Sequence, residues 1–174
     1  MTFIKSIIND SNKILLKKYG PPAPELLISD QSSIRVAFVD TETTGIDRIN
    51  DHIIEIAVKV LCFEKSSGKI LSVEGSFESF NDPEEDISTE ITQLTGIDNK
   101  MVDGKFIDWK EVDTIFKSVD IIIAHNASFD RAFIDRFSSI SLSKVWACSI
   151  SDIDWLERGS VSYTHLTLPT IYSV

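Results

Sequence analysis

Cysteine is scarce in this chain of 174 residues: the two present, Cys62 and Cys148, both sit inside apolar runs. Two thiols without a short metal-type spacing exclude a disulfide framework and a cysteine-based zinc site, and they read as reduced core residues. Long hydrophobic runs are missing as well. No stretch approaches the roughly 20 apolar residues that cross a bilayer. Lys5, Asn9, Asp10 and Lys13 interrupt the N-terminal segment, so it lacks the continuous apolar core of a signal peptide. A soluble, cytoplasmic protein with no membrane partner is the expectation. Positive charge is also short, with 17 Lys and Arg against 27 Asp and Glu and a formal net charge of −10. That balance argues against a protein that coats DNA by neutralising its phosphates. It leaves open one that grips a single strand end, where bound divalent cations supply the positive charge.

What is present is the pattern of one globular domain, with 43% hydrophobic residues and a length that buries a sizeable core. Residues 1–19 carry Phe3, Ile4, Ile7, Ile8, Ile14 and Leu15 at a rough helical period, and Gly20-Pro21-Pro22 ends it. This predicts an N-terminal helical arm and linker over residues 1–33. The globular pattern starts near Ile34. Apolar runs over residues 34–39, 53–63, 120–124 and 144–148 read as strands, and residues 69–80 pair back across the Ser66-Ser67-Gly68 turn as a hairpin. Residues 88–94, with Ser88 as cap and Gly96 as stop, read as a short helix. Further helices are predicted over residues 108–119, over 128–137 and from Asp152 to about 157. Three strands followed by strands alternating with helices predict an α/β fold, a mixed sheet with helices on both faces.

The sharpest motif is Phe38-Val39-Asp40-Thr41-Glu42-Thr43-Thr44-Gly45. Side chains alternate along a strand, so Asp40 and Glu42 share a face. Two adjacent acids repel unless a cation sits between them, and hard oxygen ligands of this kind suit magnesium or manganese. Gly45 permits close backbone approach by a ligand at the strand end. A second motif, His125-Asn126-Ala127-Ser128-Phe129-Asp130, directly follows an apolar strand. Ligands in open α/β sheets gather at strand ends, so Asp130 is expected near Asp40 and Glu42. Asp130 also suits the first turn of a helix by its charge alone. Asn126 could donate to phosphate or cap that helix, and Phe129 could stack on a base or fill the core.

These strings, FVDTETTG, HIIEIAV and HNASFD in that order, resemble the first and second motifs of the DEDD exonuclease superfamily, in particular its proofreading members. The segment EITQLTGIDNKMV is similar to the helix and turn that precede the second motif. The resemblance covers residues 34–159 and implies a ribonuclease-H-like, five-stranded mixed sheet flanked by helices. It implies a 3′–5′ exonuclease using two divalent metal ions, Mg2+ or Mn2+, held by Asp40, Glu42 and Asp130 as three of four carboxylate ligands. Such a pair, about 4 Å apart, activates water and stabilises the leaving 3′ oxygen. It also implies that Thr43, Thr44, Gly45, Ile46, Glu55, Asn126 and Phe129 contact the end of the substrate. The expected partner is the 3′ end of single-stranded DNA, with a DNA polymerase subunit as a second candidate. RNA ends and a non-catalytic, end-binding role are the alternatives.

The superfamily's third motif is a histidine, the general base, followed five positions later by an aspartate, the fourth ligand. Outside the second motif this chain has no such pair: His165 is followed at that distance by Thr170, and His52 precedes a strand. Asp152 and Asp154 stand too early and lack a partnered histidine. The segment VSYTHLTLPT follows no helical or strand period and resembles the translated end of a transposase-type sequencing adapter. The expectation is therefore an exonuclease domain over residues 34–160 without its last helices, an adapter-derived tail over residues 161–174, and weak or absent activity in this chain.

Overall fold

The computed structural model describes residues 32–154. The arm expected before residue 32 and the tail with His165 and Thr170 lie outside the described residues. β1 (Ser33–Thr43), β2 (Ile53–Glu64) and β3 (Ile70–Phe80) form an antiparallel meander. β4 (Ile121–Ala124) pairs in parallel with β1, and β5 (Val145–Cys148) in parallel with β4, giving the sheet order β3-β2-β1-β4-β5. This is the five-stranded mixed sheet that the strand pattern predicts. The parallel connections run through helices, as parallel crossovers require. α1 (Thr89–Thr95), α2 (Asn99–Val102) and α3 (Trp109–Ser118) precede β4; α4 (Ala127–Ile134) and α5 (Ser139–Ser143) lie between β4 and β5.

Alternation along β1 decides which face is core. Ala37, Val39, Thr41 and Thr43 are buried, whereas Phe38 is 36% exposed and Asp40 is open. Across the ladder, Val39 opposes Val58 and Ala37 opposes Val60, so these residues line one apolar face. Phe116 and Val112 of α3 and Phe133 and Ile134 of α4 close over it. A smaller cluster gathers Ile87, Ile97 and Val102 around Ile54 and Phe80. Phe80 opposes Glu55, so α1 and α2 cover the end of the other face. The rest of that face, with Phe38, Asp40, Ala57, Lys59 and Glu78, stays open among the described residues.

Local chemistry sets the helix boundaries. Ser88 accepts from the Ile91 N–H and Gly96 takes a left-handed φ of 79°, so α1 starts and stops where the sequence predicts. α2 and α5 are too short to show a period. Their caps reveal them: Asp98 accepts from two following amides, and Ser138 accepts from the Ser141 N–H. α4 ends at Ile134, earlier than the predicted 137, because the next residues turn back onto the Phe133 and Ile134 carbonyls. β1 runs on to Thr43, past the predicted Val39, because β2 pairs with it along its whole length. The helix predicted from Asp152 is not formed over residues 152–154. There the Asp152 carboxylate turns back to accept the Cys148 N–H at 2.8 Å and closes a turn. Cys62 and Cys148 are both free thiols, the first buried and the second half-buried.

Among the described residues no helix is long and apolar enough to cross a membrane. Phe116 is fully buried and meets Trp146 edge-on at 6.4 Å. Phe116→Ala should therefore cost about 3–5 kcal/mol, read as a lower urea midpoint with an unchanged m-value.

Candidate active site

The site forms where the central strand outruns its neighbour. β1 pairs with β4 only as far as Val39 and Ala124, so the next backbone donors of β1 lack a strand to meet. Asp130, in the first turn of α4, takes the place of that strand. Its Oδ1 accepts from the Thr41 N–H at 3.0 Å and from the Thr41 hydroxyl at 2.8 Å. A carboxylate placed there satisfies a buried amide that would otherwise be orphaned. Asp130 itself is 2% exposed.

On the opposite face of β1 stand Asp40 and Glu42. Glu55 lies directly across from Glu42, and Ala57, across from Asp40, is followed on β3 by Glu78. Four carboxylates therefore line three adjacent strands, with Lys59 as their cationic neighbour on the same face. Burial, then the neighbouring charge of His125 in the opposite sense, acts on Asp40, and its carboxyl ends above the usual range. Burial and the charges of Asp40, Glu55 and Asp130 all raise Glu42. Burial, Glu78 and Asp40 raise Glu55. Burial pushes Asp130 up to about 6, with the Thr41 hydrogen bond working against it and the charge of Asp40 with it. The group holds more negative charge than its surroundings neutralise.

The donor set is hard oxygen throughout, which fits magnesium or manganese. Among the described residues, however, no three His, Cys, Asp or Glu side chains stand close enough together to hold one ion as they are. Asp130 gives Oδ1 to Thr41, whose side chain lies on the far face of β1 from Asp40 and Glu42. The fit is thus one of chemistry and proximity.

The other residues of the two motifs lie at or just beyond the ends of β1 and β4. Thr43 is buried and its hydroxyl donates to the Gly45 carbonyl at 2.5 Å. The Thr44 hydroxyl accepts the His52 N–H at 3.0 Å, and the Thr44 N–H donates to the His52 carbonyl at 2.8 Å, closing the loop between β1 and β2. At the tip of that loop Ile46 is 86% exposed. At Gly45 a Cβ would stand 2.3 Å from the Asp51 carboxylate, so the chain's own acid lies close against this backbone. Asn126 adopts the left-handed conformation at φ 63° and does not cap α4 with its side chain, which instead accepts from the Ser128 hydroxyl at 3.2 Å. Phe129 packs partly on the core and meets Phe133 at 5.0 Å. His125 presents Nδ1 to the Ser149 hydroxyl at 2.7 Å.

Sequence reasoning passes over Thr41, Glu78 and Asp51. Thr41 has a local signal, a hydroxyl at a buried strand position between two acids. Glu78 and Asp51 have none, since only the β2–β3 register and the loop closure bring them in. Two hollows lie among the described residues near these elements. One, of about 210 Å³, lies beside Asp40 and is lined by Phe38, Ala57, Lys59 and Glu78. A larger one of about 400 Å³ lies among Asp82, Glu84, Glu85, Asp86 and Asp103. Its wall of acids repels a polyanion, and the Asp82 carboxylate is already taken by the Gly104 and Glu84 amides.

The family model described as Exonuclease, RNase T, matches residues 37–156 of this chain. The PolC-type DNA polymerase III of Listeria innocua is 35% identical over 134 residues, covering 72% of this chain and 8% of that polymerase. The PolC-type enzyme of Staphylococcus saprophyticus is 46% identical over 101 residues, covering 55% of this chain and 6% of its own. The chain therefore spans less than about a tenth of the length of these relatives. Among solved structures, E. coli exonuclease I in complex with a dA16 oligonucleotide matches with a TM-score of 0.54 and 14% identity, over 67% of this chain and 28% of that one. At that identity the likeness concerns the fold.

The raised Asp130 carboxyl has a consequence for stability. Its folded value near 6 lies above the roughly 3.9 of an unfolded aspartate, so the folded chain binds the proton more tightly. The stability it contributes is complete below about pH 4 and is lost as pH rises through about 6, by about 3 kcal/mol for two units. Asp130→Asn keeps an acceptor for Thr41 and removes the charge. In chelator, melts of that variant should lie above the wild type at pH 7 and converge with it at pH 4.

Proposed function

The chain belongs to the exonuclease family of the RNase T type, and from that premise we propose that it hydrolyses phosphodiester bonds at the 3′ end of single-stranded nucleic acid, DNA first, with divalent metal ions. The observation that carries this reading is the convergence of Asp40, Glu42, Glu55 and Asp130 at the ends of β1 and β2, with the carboxyls raised by burial and by one another. A fold gains nothing in stability from such crowding, whereas a cation site needs it.

Asp40 and Glu42 would hold the metals directly, and Asp130 would join them from the start of α4. When bound, two ions supply the positive charge that the acids lack and the Lewis acidity that phosphodiester hydrolysis needs. This chain's own residues bind and orient the strand end. The loop of Thr43, Thr44, Gly45 and Ile46 seats the terminal nucleotide, with Ile46 as its exposed apolar contact. Glu55 faces Glu42 across the ladder and would contact the terminal sugar. Asn126, held in a left-handed turn, would offer its amide to the strand, and Phe129, packed partly on the core, would contact the same end. Thr41 keeps Asp130 in place. The PolC-type relatives are DNA polymerases, which supports a polymerase as the partner of this domain.

The test is the polarity and metal dependence of cleavage. A single-stranded oligonucleotide labelled at its 5′ end should shorten slowly from the 3′ end in Mn2+ and stay intact in chelator. Asp40→Ala should slow it by about a hundredfold or more, as loss of a metal ligand does. Shortening from the 5′ end, or cleavage indifferent to Asp40→Ala, would overturn the reading. Oligonucleotide ends bound but never cut in Mn2+ would favour an end-binding domain.

A further inference from the structure

Arg136 lies in the turn just after α4, far in sequence from the first motif and close to it in space. Its Nη1 donates to the Asp51 carbonyl at 2.6 Å and to the Arg48 carbonyl at 3.3 Å. Its guanidinium rests on two rings, 5.8 Å from the centroid of Phe133 and 5.4 Å from that of Phe137. Phe137 in turn stacks on Trp109 at the start of α3, 4.9 Å away and 12° from parallel. Phe133 is fully buried, so the guanidinium is seated against the core as well as aimed at the loop. A planar, forked cation suits this combination of ring stacking and carbonyl bridging better than lysine does.

The loop it reaches is built to transmit that hold. The Asp51 carboxylate accepts the Asp47 N–H at 2.7 Å and lies against Gly45. The Asp47 carboxylate accepts from the Ile49 and Asn50 amides, and the Asp51 N–H returns to the Asp47 carbonyl at 2.9 Å. Asp47 is held below the usual carboxylate range first by these amides and by the Asn50 side chain, with the charge of Arg136 adding to them. Fixing the carbonyl of Asp51 therefore fixes its carboxylate, and through it the turn on which Ile46 stands. The same helix carries Asp130 at its first turn and Arg136 just beyond its end. One rigid element thereby sets the height of the Ile46 loop relative to the acids.

We infer that Arg136 is a positioning residue for the strand-end loop, holding residues 44–52 in register with the acid cluster so that the terminal nucleotide meets both. The inference rests on the nuclease reading for the loop's role, and on the geometry alone for the tether. It assigns Arg136 no contact with substrate.

Two readouts on the full chain separate these parts. In Arg136→Gln, amide exchange over residues 44–52 should quicken about tenfold, the factor that loss of one charge-assisted hydrogen bond brings. Exchange in β1, β2 and α4 should not change. Affinity for a fluorescent single-stranded oligonucleotide in Mn2+, read by anisotropy, should fall by a similar factor. Arg136→Lys should move both readouts together and by less. Unchanged loop exchange in Arg136→Gln overturns the tether, whatever the protein binds. A loosened loop with wild-type affinity overturns the positioning role. Wild-type affinity in Arg136→Lys despite fast loop exchange overturns it too, and makes the residue a phosphate contact. If the wild-type chain binds no oligonucleotide, the nuclease reading fails while the exchange data still judge the tether.

Discussion

Asp130 accepts two hydrogen bonds from Thr41, and the arrangement of the site depends on that junction. β1 extends beyond β4, so its last residues need partners that a strand does not supply. A carboxylate at the first turn of α4 supplies one, and the start of that helix is thereby pinned to the central strand. The same bonds draw a fourth acid toward three others that alternation and register have already crowded on β1 and β2. Structure and electrostatic strain arise from one contact. Burial alone makes this acid costly to ionise, and its neighbours add to the cost. The strain is concentrated at the strand ends, where ligands of open α/β sheets gather.

The rest of the fold serves to hold these ends still. The apolar face of the sheet packs against α3 and α4 through Phe116 and Phe133, both fully buried. A site on rigid elements keeps its geometry better than one on loops alone. The part of the site that is a loop, between β1 and β2, is hydrogen-bonded within itself and tethered by Arg136 from beyond α4. It carries the exposed Ile46 and Ile49.

Much of this was legible beforehand, and for physical reasons. Period-2 alternation through Asp40 and Glu42 places them on one face, and the cap residues Ser88 and Gly96 bound α1, because both signals act within a few residues. The boundaries that sequence missed depend on distant partners. β1 continues to Thr43 only because β2 pairs with it, and α4 stops at Ile134 because the chain turns there onto its own carbonyls. Residues 152–154 form a turn in place of a helix because Asp152 reaches back to Cys148. In the site, the two motifs were readable as strings of acids beside apolar strands. The role of Thr41, the approach of Asp51 to Gly45 and the reach of Arg136 were not, since each joins positions that only tertiary structure brings together.

The central claim is that the crowded acids form a cation site, so binding of Mn2+ should displace the proton that burial holds on Asp130 near pH 6. Calorimetric titration at pH 6, repeated in buffers of different ionisation enthalpy, measures both the binding and the proton release. The account predicts saturable binding with release of a fraction of a proton or more, lost in Asp40→Ala and without release in Asp130→Asn. No binding, or binding untouched by Asp40→Ala, would contradict it.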